Sequence, residues 1–151
     1  MSDNWIILIP ENPQLVPALE RQQCAEARCR ELAPHADEIV SHSSSSPRFY
    51  DCGTNLETIS CPHCNAVLSL DWWRDAMDRD HAGDEFLMNA HDLPCCGKTA
   101  TLNQLRYDWP QGIARYALEL MNPVLGRLSP EVITEFEVIL GCRLRVIYQH
   151  L

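Results

Sequence analysis

Basic side chains are scarce in this chain: 12 lysines and arginines stand against 21 aspartates and glutamates, a formal net charge of −9. That balance opposes the phosphate attraction that supplies most non-specific nucleic-acid affinity. A general DNA or RNA binder is therefore disfavoured, and a basic protein partner is expected instead. Long apolar runs are also missing. The run Trp5-Ile6-Ile7-Leu8-Ile9 falls far below the roughly 20 residues of a membrane span. It is also too short for the core of a secretion signal, and Met1-Ser2-Asp3-Asn4 carries no basic leader. A soluble, cytoplasmic protein is the expectation. No nucleophile and base stand in a catalytic pattern, so no enzyme is expected, and no internal repeat is visible.

Cysteine is plentiful, with eight in 151 residues. In a small secreted chain that number would suggest disulfides; in a reducing cytosol it points to metal. Four of the eight fall in two tight turns, Cys61-Pro62-His63-Cys64 and Pro94-Cys95-Cys96-Gly97. Thiolates from two separate loops can close a tetrahedron around one structural Zn2+ ion, and the expected ligands are Cys61, Cys64, Cys95 and Cys96. The first turn is regular: its two-residue gap lets both sulfurs face one ion while backbone amides stabilise their charge. The second departs from the usual two-residue gap, and adjacent cysteines must splay to share a metal. Two other ligand sets remain open, one with His91 in place of Cys95 and one recruiting Cys52 or His63. The competing structural reading, buried thiols packing as small hydrophobes, suits lone cysteines such as Cys24, Cys29 and Cys142 but not a Cys-Pro-His-Cys cluster.

Four thiolates leave no open position for the water that a catalytic zinc needs. A redox role for Cys61 and Cys64 would require the pair to open a helix after a strand, and here a strand is expected to follow.

Around this site the chain divides into alternating elements. Trp5–Ile9, closed by Pro10, reads as a buried strand. Asn12-Pro13 supplies a cap and a first-turn proline, and Leu15, Leu19, Gln22, Ala25, Cys29 and Leu32 recur at helical spacing up to Pro34. Two short strands, Glu38–Ser41 and Arg48–Cys52, are expected to flank a loop at Ser43–Ser46. Ala66–Leu70 reads as a strand, Asp71 as the cap of a short helix through Trp72, Trp73, Ala76 and Met77, and Lys98–Tyr107 as another strand. Ile113–Met121 suits either a strand or a helix, and its stop at Asn122-Pro123 favours the strand. Ser129, Pro130, the stripe Val132, Ile133, Phe136, Ile139 and Leu140, and then Gly141 delimit a closing helix. Arg143–Tyr148 completes the chain as a strand. The order predicts an α+β fold: a split βαβ, ferredoxin-like sheet with helices on one face and a zinc ribbon inserted at about 57–108, all within one domain spanning 1–151.

Between Asp71 and Asp92 lie seven acids (Asp71, Asp75, Asp78, Asp80, Asp84, Glu85, Asp92) against two bases, Arg74 and Arg79. Asp78, Asp80, His81, Asp84 and Glu85 lack calcium-loop spacing and read as solvated surface. Of Trp72 and Trp73, one ring is expected in the core and one at its rim.

Leu93-Pro94-Cys95-Cys96-Gly97 together with Leu102-Asn103-Gln104-Leu105-Arg106-Tyr107-Asp108-Trp109-Pro110 resembles a group of small bacterial proteins with a central zinc ribbon. The resemblance implies that both cysteines of the doublet belong to the metal site, and it implies no reaction. The functional expectation is a non-enzymatic interaction protein, of the immunity or inhibitory type, that binds a basic protein partner through its acidic lobe. The alternative is a zinc-ribbon nucleic-acid or transcription accessory protein, for which Arg106, Arg115, Arg143 and Arg145 are the candidate basic stripe.

Overall fold

The chain's longest apolar run does become a strand. The computed structural model describes residues 2–151, and in it β1 (Asn4–Pro10) has every side chain from Ile6 onward buried. The helix that follows, α1 (Leu19–Leu32), starts later than the Asn12-Pro13 cap predicts. Pro17 disfavours helical backbone at Val16, and Ala18, the residue before the helix, has no side-chain acceptor. Gln22 Nε2 instead donates to the Pro17 carbonyl at 2.8 Å.

β2 (Glu38–Tyr50) runs straight through the serine segment expected to be a loop. Residues Glu38–Ser43 pair with Met121–Tyr116 of a later strand, Arg48–Tyr50 pair with Ala114–Gly112, and the extra residues between them bulge opposite Arg115. Arg115 stitches the bulge, its Nε donating to the Ser44 carbonyl at 3.0 Å. The ladder with the mostly buried later strand, formed up to Ser43 and again from Arg48, carries the chain through the serines despite their weak strand preference, and Pro47 is tolerated because it lies in the bulge of an edge strand.

The middle of the chain is built from short pieces. β3 (Ile59–Ser60) and β4 (Val67–Leu68) form one hairpin, and α2 (Leu70–Asp80) follows. The α2 cap is Ser69 rather than Asp71: Ser69 Oγ accepts from the amides of Asp71 at 3.1 Å and Trp72 at 3.3 Å. β5 (His81–Ala82) pairs with β6 (Glu85–Phe86), and β7 (His91–Asp92) with β8 (Thr99–Ala100). The strand expected over Lys98–Tyr107 is interrupted by a 3-10 turn at Leu102–Gln104, after which β9 (Arg106–Tyr107) joins β3 in a three-stranded sheet of order β4-β3-β9. The turn is closed by a capping box between Thr101 and Gln104, and it carries the side-chain amide of Asn103 to Ile113. That amide is buried and satisfies both backbone groups of Ile113, accepting from its N at 2.8 Å and donating to its O at 2.9 Å, which an extended strand would not place in reach.

β10 (Gly112–Met121), α3 (Pro130–Leu140) and β11 (Leu144–His150) close the chain. α3 has the expected limits: Ser129 Oγ accepts from Val132 N at 3.2 Å, and Gly141 takes the left-handed C-terminal conformation. The four long strands are antiparallel in the order β11-β1-β10-β2. The fold is thus mixed α/β with antiparallel sheets and three α-helices among the described residues.

Ile6, Leu8, Tyr116, Leu118 and Leu120 pack on one face of the large sheet against Ala25, Cys29, Phe136 and Leu140 of α1 and α3. Ile7, Ile9, Ala114, Ala117 and Ile147 form a core on the opposite face. Ala114 and Ala117 share that face although three residues apart, because the bulge inverts the alternation. A third cluster, with Ile59, Cys61, Leu68, Ala76, Leu93, Leu102 and Leu105, belongs to the middle segment and reaches the sheet through Ile113 and Phe49. Among the described residues no helix is long and apolar enough to cross a membrane.

Candidate metal centre

The two cysteine turns are one design used twice. β3 and β4 set Ile59 opposite Leu68 and Ser60 opposite Val67; β7 and β8 set His91 opposite Ala100 and Asp92 opposite Thr99. Every position in the second hairpin is its counterpart in the first plus thirty-two, from Ile59 and His91 to Leu68 and Ala100. The turn hydrogen bonds follow the same offset. Cys61 N donates to Ala66 O at 2.9 Å, as Leu93 N does to Lys98 O at 2.8 Å. Asn65 N donates to Cys61 O, and Gly97 N to Leu93 O, both at 3.0 Å. Each turn carries proline second, Pro62 or Pro94, and ends on a left-handed residue, Asn65 (φ 64°) or Gly97 (φ 75°), where asparagine and glycine are the least strained choices.

This equivalence explains the irregular doublet. Cys96 stands where Cys64 stands, Leu93 takes the place of Cys61, and Cys95 takes that of His63. The second turn carries a core leucine at the first position and a thiol at the third.

The four sulfurs nevertheless converge. The Sγ atoms of Cys61, Cys64, Cys95 and Cys96 all lie within 4.8 Å of one another, and Cys61 Sγ is 3.8 Å from Cys96 Sγ. Four thiolates at ~2.3 Å from one tetrahedral ion lie about 3.8 Å apart, so this donor set fits a metal with only small adjustment. Cys61 is fully buried and the other three are exposed. Burial by itself would raise the Cys61 thiol, but the amides of Cys64 and His63, which donate to its Sγ at 3.4 and 3.3 Å, together with the neighbouring thiols, bring it down to about 6. Cys95 is pushed up to about 12 by desolvation, by its hydrogen bonds to Cys64, Cys61 and Cys96, and by the Cys61 charge. Four sulfurs this close cannot all ionise unaided. A divalent cation removes the conflict by taking the place of the protons.

The alternative ligands are occupied elsewhere. His91 is buried, and its Nε2 meets Asp80 Oδ1 at 3.3 Å. Asp80, expected on the solvated acidic face, is fully buried: its carboxylate accepts from Met88 N at 2.9 Å and Asn89 N at 2.8 Å, closing the loop that leads to the second turn. His63 Nε2 contacts Thr99 O at 2.9 Å, a bond from one turn to the strand leaving the other. Cys52 is buried in the sheet's outer core, where its Sγ donates to Gln111 Oε1 at 3.4 Å and desolvation pushes its thiol up to about 11. Cys29 is buried on the inner face of α1 and pushed up to about 12 by desolvation, while Cys24 on the same helix is exposed.

Other predicted groups divide. Trp72 and Trp73 are both half-buried against the middle cluster rather than split between core and rim. Trp73 packs edge-on against Phe49 and Tyr107, and its Nε1 donates to Tyr107 Oη at 3.2 Å. Asp71, Asp75 and Asp78 remain exposed on α2 at helical spacing, away from buried Ala76. Of the candidate basic stripe, Arg106 and Arg145 line one cleft. Arg115 does not join them, since it is held in the β2 bulge by Ser44 and Gln14.

Comparison of the chain with protein-family models, with curated proteins and with solved structures finds no match.

Proposed function

We propose that this is a non-enzymatic, zinc-braced interaction protein. A zinc ribbon is inserted into a split βαβ sheet and carries an acidic face that captures a basic protein partner. The observation that carries the reading is the convergence of four cysteine sulfurs from two equivalent hairpins to within 4.8 Å. Soft thiolates in a closed tetrahedral set favour Zn2+ over hard cations, and a closed set supplies rigidity rather than a reactive site. The strand order β11-β1-β10-β2 with α1 and α3 on one face supports the ferredoxin-like description of the frame. For the partner, support comes from charge and its placement: the net charge is −9, and Asp71, Asp75 and Asp78 line one exposed side of α2, with Asp84 and Glu85 on the hairpin beside it. An immunity-type or inhibitory protein that masks a basic surface is the concrete form. Complementary charge of this kind acts chiefly on the association rate.

The test has two steps. Cobalt substituted into the purified protein should give the absorption of a tetrahedral four-sulfur site with one ion per chain; absence of stoichiometric metal removes the basis of the reading. Asp71→Asn/Asp75→Asn/Asp78→Asn should then slow capture of the partner recovered from native lysate, most at low salt. An unchanged association rate at low salt would reject the acidic face as the binding surface.

A further inference from the structure

Where the middle segment meets the edge strand β11 and α3, a cleft of about 650 Å³ gathers Arg106, Arg127 and Arg145, with Glu11 the sole carboxylate on its lining. In a chain with almost twice as many acids as bases, three arginines around one acid are a local reversal of sign. Arg145 is fully engaged: its Nε and Nη2 grip Glu11 at 3.2 and 3.0 Å, while Nη1 and Nη2 donate to the carbonyls of Gln111 and Asn103, each at 2.7 Å. It serves as the wall of the cleft. Arg106 is bonded through Nη1 to Asn65 Oδ1 and has no carboxylate partner among the described residues.

Arg127 differs from both. Its guanidinium carbon lies 4.9 Å from the Trp109 ring centroid and 5.2 Å from that of Tyr148, and among the described residues it makes no ion pair. The Tyr148 ring is itself fixed, since its hydroxyl accepts from Leu128 N at 2.9 Å. Two aromatic contacts therefore hold an exposed guanidinium in place while leaving its N–H groups without a carboxylate. That arrangement has already given up the side-chain freedom that binding an anion would cost. The rest of the lining is largely apolar, including Leu105, Leu128, Ile133 and Val146, with Tyr107 beside them.

We propose that this cleft is a binding site for a small organic anion, a carboxylate or phosphate monoester carried on an apolar or aromatic body. Arg127 and Arg106 hold the charged head. The volume suits a compact ligand, and planar guanidinium groups match both head groups in a two-pronged fashion. The strongly negative charge of the whole molecule selects against a polyanion such as nucleic acid but little against one or two charges. The cleft adjoins the first cysteine turn, because Arg106 bonds Asn65 beside Cys64, but no cysteine lines it and the proposal does not depend on the function proposed above.

The probes are benzoate, phenyl phosphate and neutral benzamide, titrated into the metal-loaded, 15N-labelled full chain. The readouts are the Trp109 indole and Leu128 amide cross-peaks. Saturable shifts with at least one anion, none with benzamide, and affinity about tenfold weaker in Arg127→Gln support the site. A response to benzoate alone identifies a carboxylate ligand, and a response to phenyl phosphate alone identifies a phosphate ligand. The proposal is overturned if neither anion saturates, if benzamide acts like the anions, or if both Arg127→Gln and Arg106→Gln leave affinity unchanged. Tighter, salt-sensitive binding of a single-stranded oligonucleotide at the same cross-peaks would also overturn it.

Discussion

At the scale of single residues, the eight cysteines separate by environment as they do by sequence spacing. Cys29 and Cys52 are buried thiols that desolvation pushes up to about 12 and about 11, whereas the amides and thiols around buried Cys61 hold it at about 6. The first two are packing atoms, and the third belongs to the cluster that could hold a metal ion. Cys95 sits at a position that the regular turn leaves to a non-ligand, so Cys95→Ser should lower metal affinity by at least tenfold in a chelator competition. Because Leu93 occupies the first ligand position of its turn, Leu93→Cys/Cys95→Ser should recover most of that loss by restoring the regular spacing. A double variant no tighter than Cys95→Ser would show that the two turns are not interchangeable. Asp80 is the other residue whose role only its surroundings reveal. Asp80→Asn keeps the shape but sets an NH2 donor against one of the two backbone amides that the carboxylate oxygens accept from, and should cost about 2 kcal/mol in chemical denaturation.

At the scale of elements, how much was legible in the sequence depended on whether a segment's own pattern or its neighbour decided its form. α3 was readable because Ser129, Pro130 and Gly141 are all local signals. The serine segment of β2 was not, because nothing in Ser43–Ser46 favours a strand; the ladder is imposed by β10 across the bulge. The β3–β4 and β7–β8 repeat was hidden for a related reason. Only the proline and the last cysteine of the two turns coincide in identity, while the repeated feature is the backbone hydrogen-bond pattern. The junction after β2 offers a sharp test. Gly53 has φ 67°, and a Cβ there would lie 2.1 Å from the His150 carbonyl oxygen, where Gly53 bridges to β11. Gly53→Ala should therefore lower stability by about 3 kcal/mol, read as a fall in the denaturation midpoint, with metal content unchanged.

For the whole molecule, the decisive feature is that two kinds of core coexist. The large sheet buries Ile6, Leu8, Leu118 and Phe136 on one face and Ile7, Ile9 and Ile147 on the other without any help from the four clustered cysteines. The middle cluster includes buried Cys61 itself. Structural zinc contributes on the order of 10 kcal/mol in isolated finger peptides, so chelation or Cys61→Ser should release the middle segment while the sheet persists. Hydrogen exchange should report this as lost protection in β3, β4, β7 and β8, with β1, β10 and β11 still protected. Uniform loss across the chain would mean that the sheet depends on the metal after all, through Asn103, Ile113 and Phe49.

The sequence by itself determined which residues could serve as soft ligands, the sign of the molecule's charge, and the elements whose start and stop are written in neighbouring residues. Ligand type and net charge are properties of composition, and caps act within a single turn. Only the tertiary structure decided that Cys95 rather than His91 points into the cluster, that Asp80 leaves the acidic face for the interior, and that three arginines far apart along the chain share a cleft in an acidic protein. Each of those outcomes depends on what lies opposite a side chain once distant strands have paired, and that information is held by no single stretch of sequence.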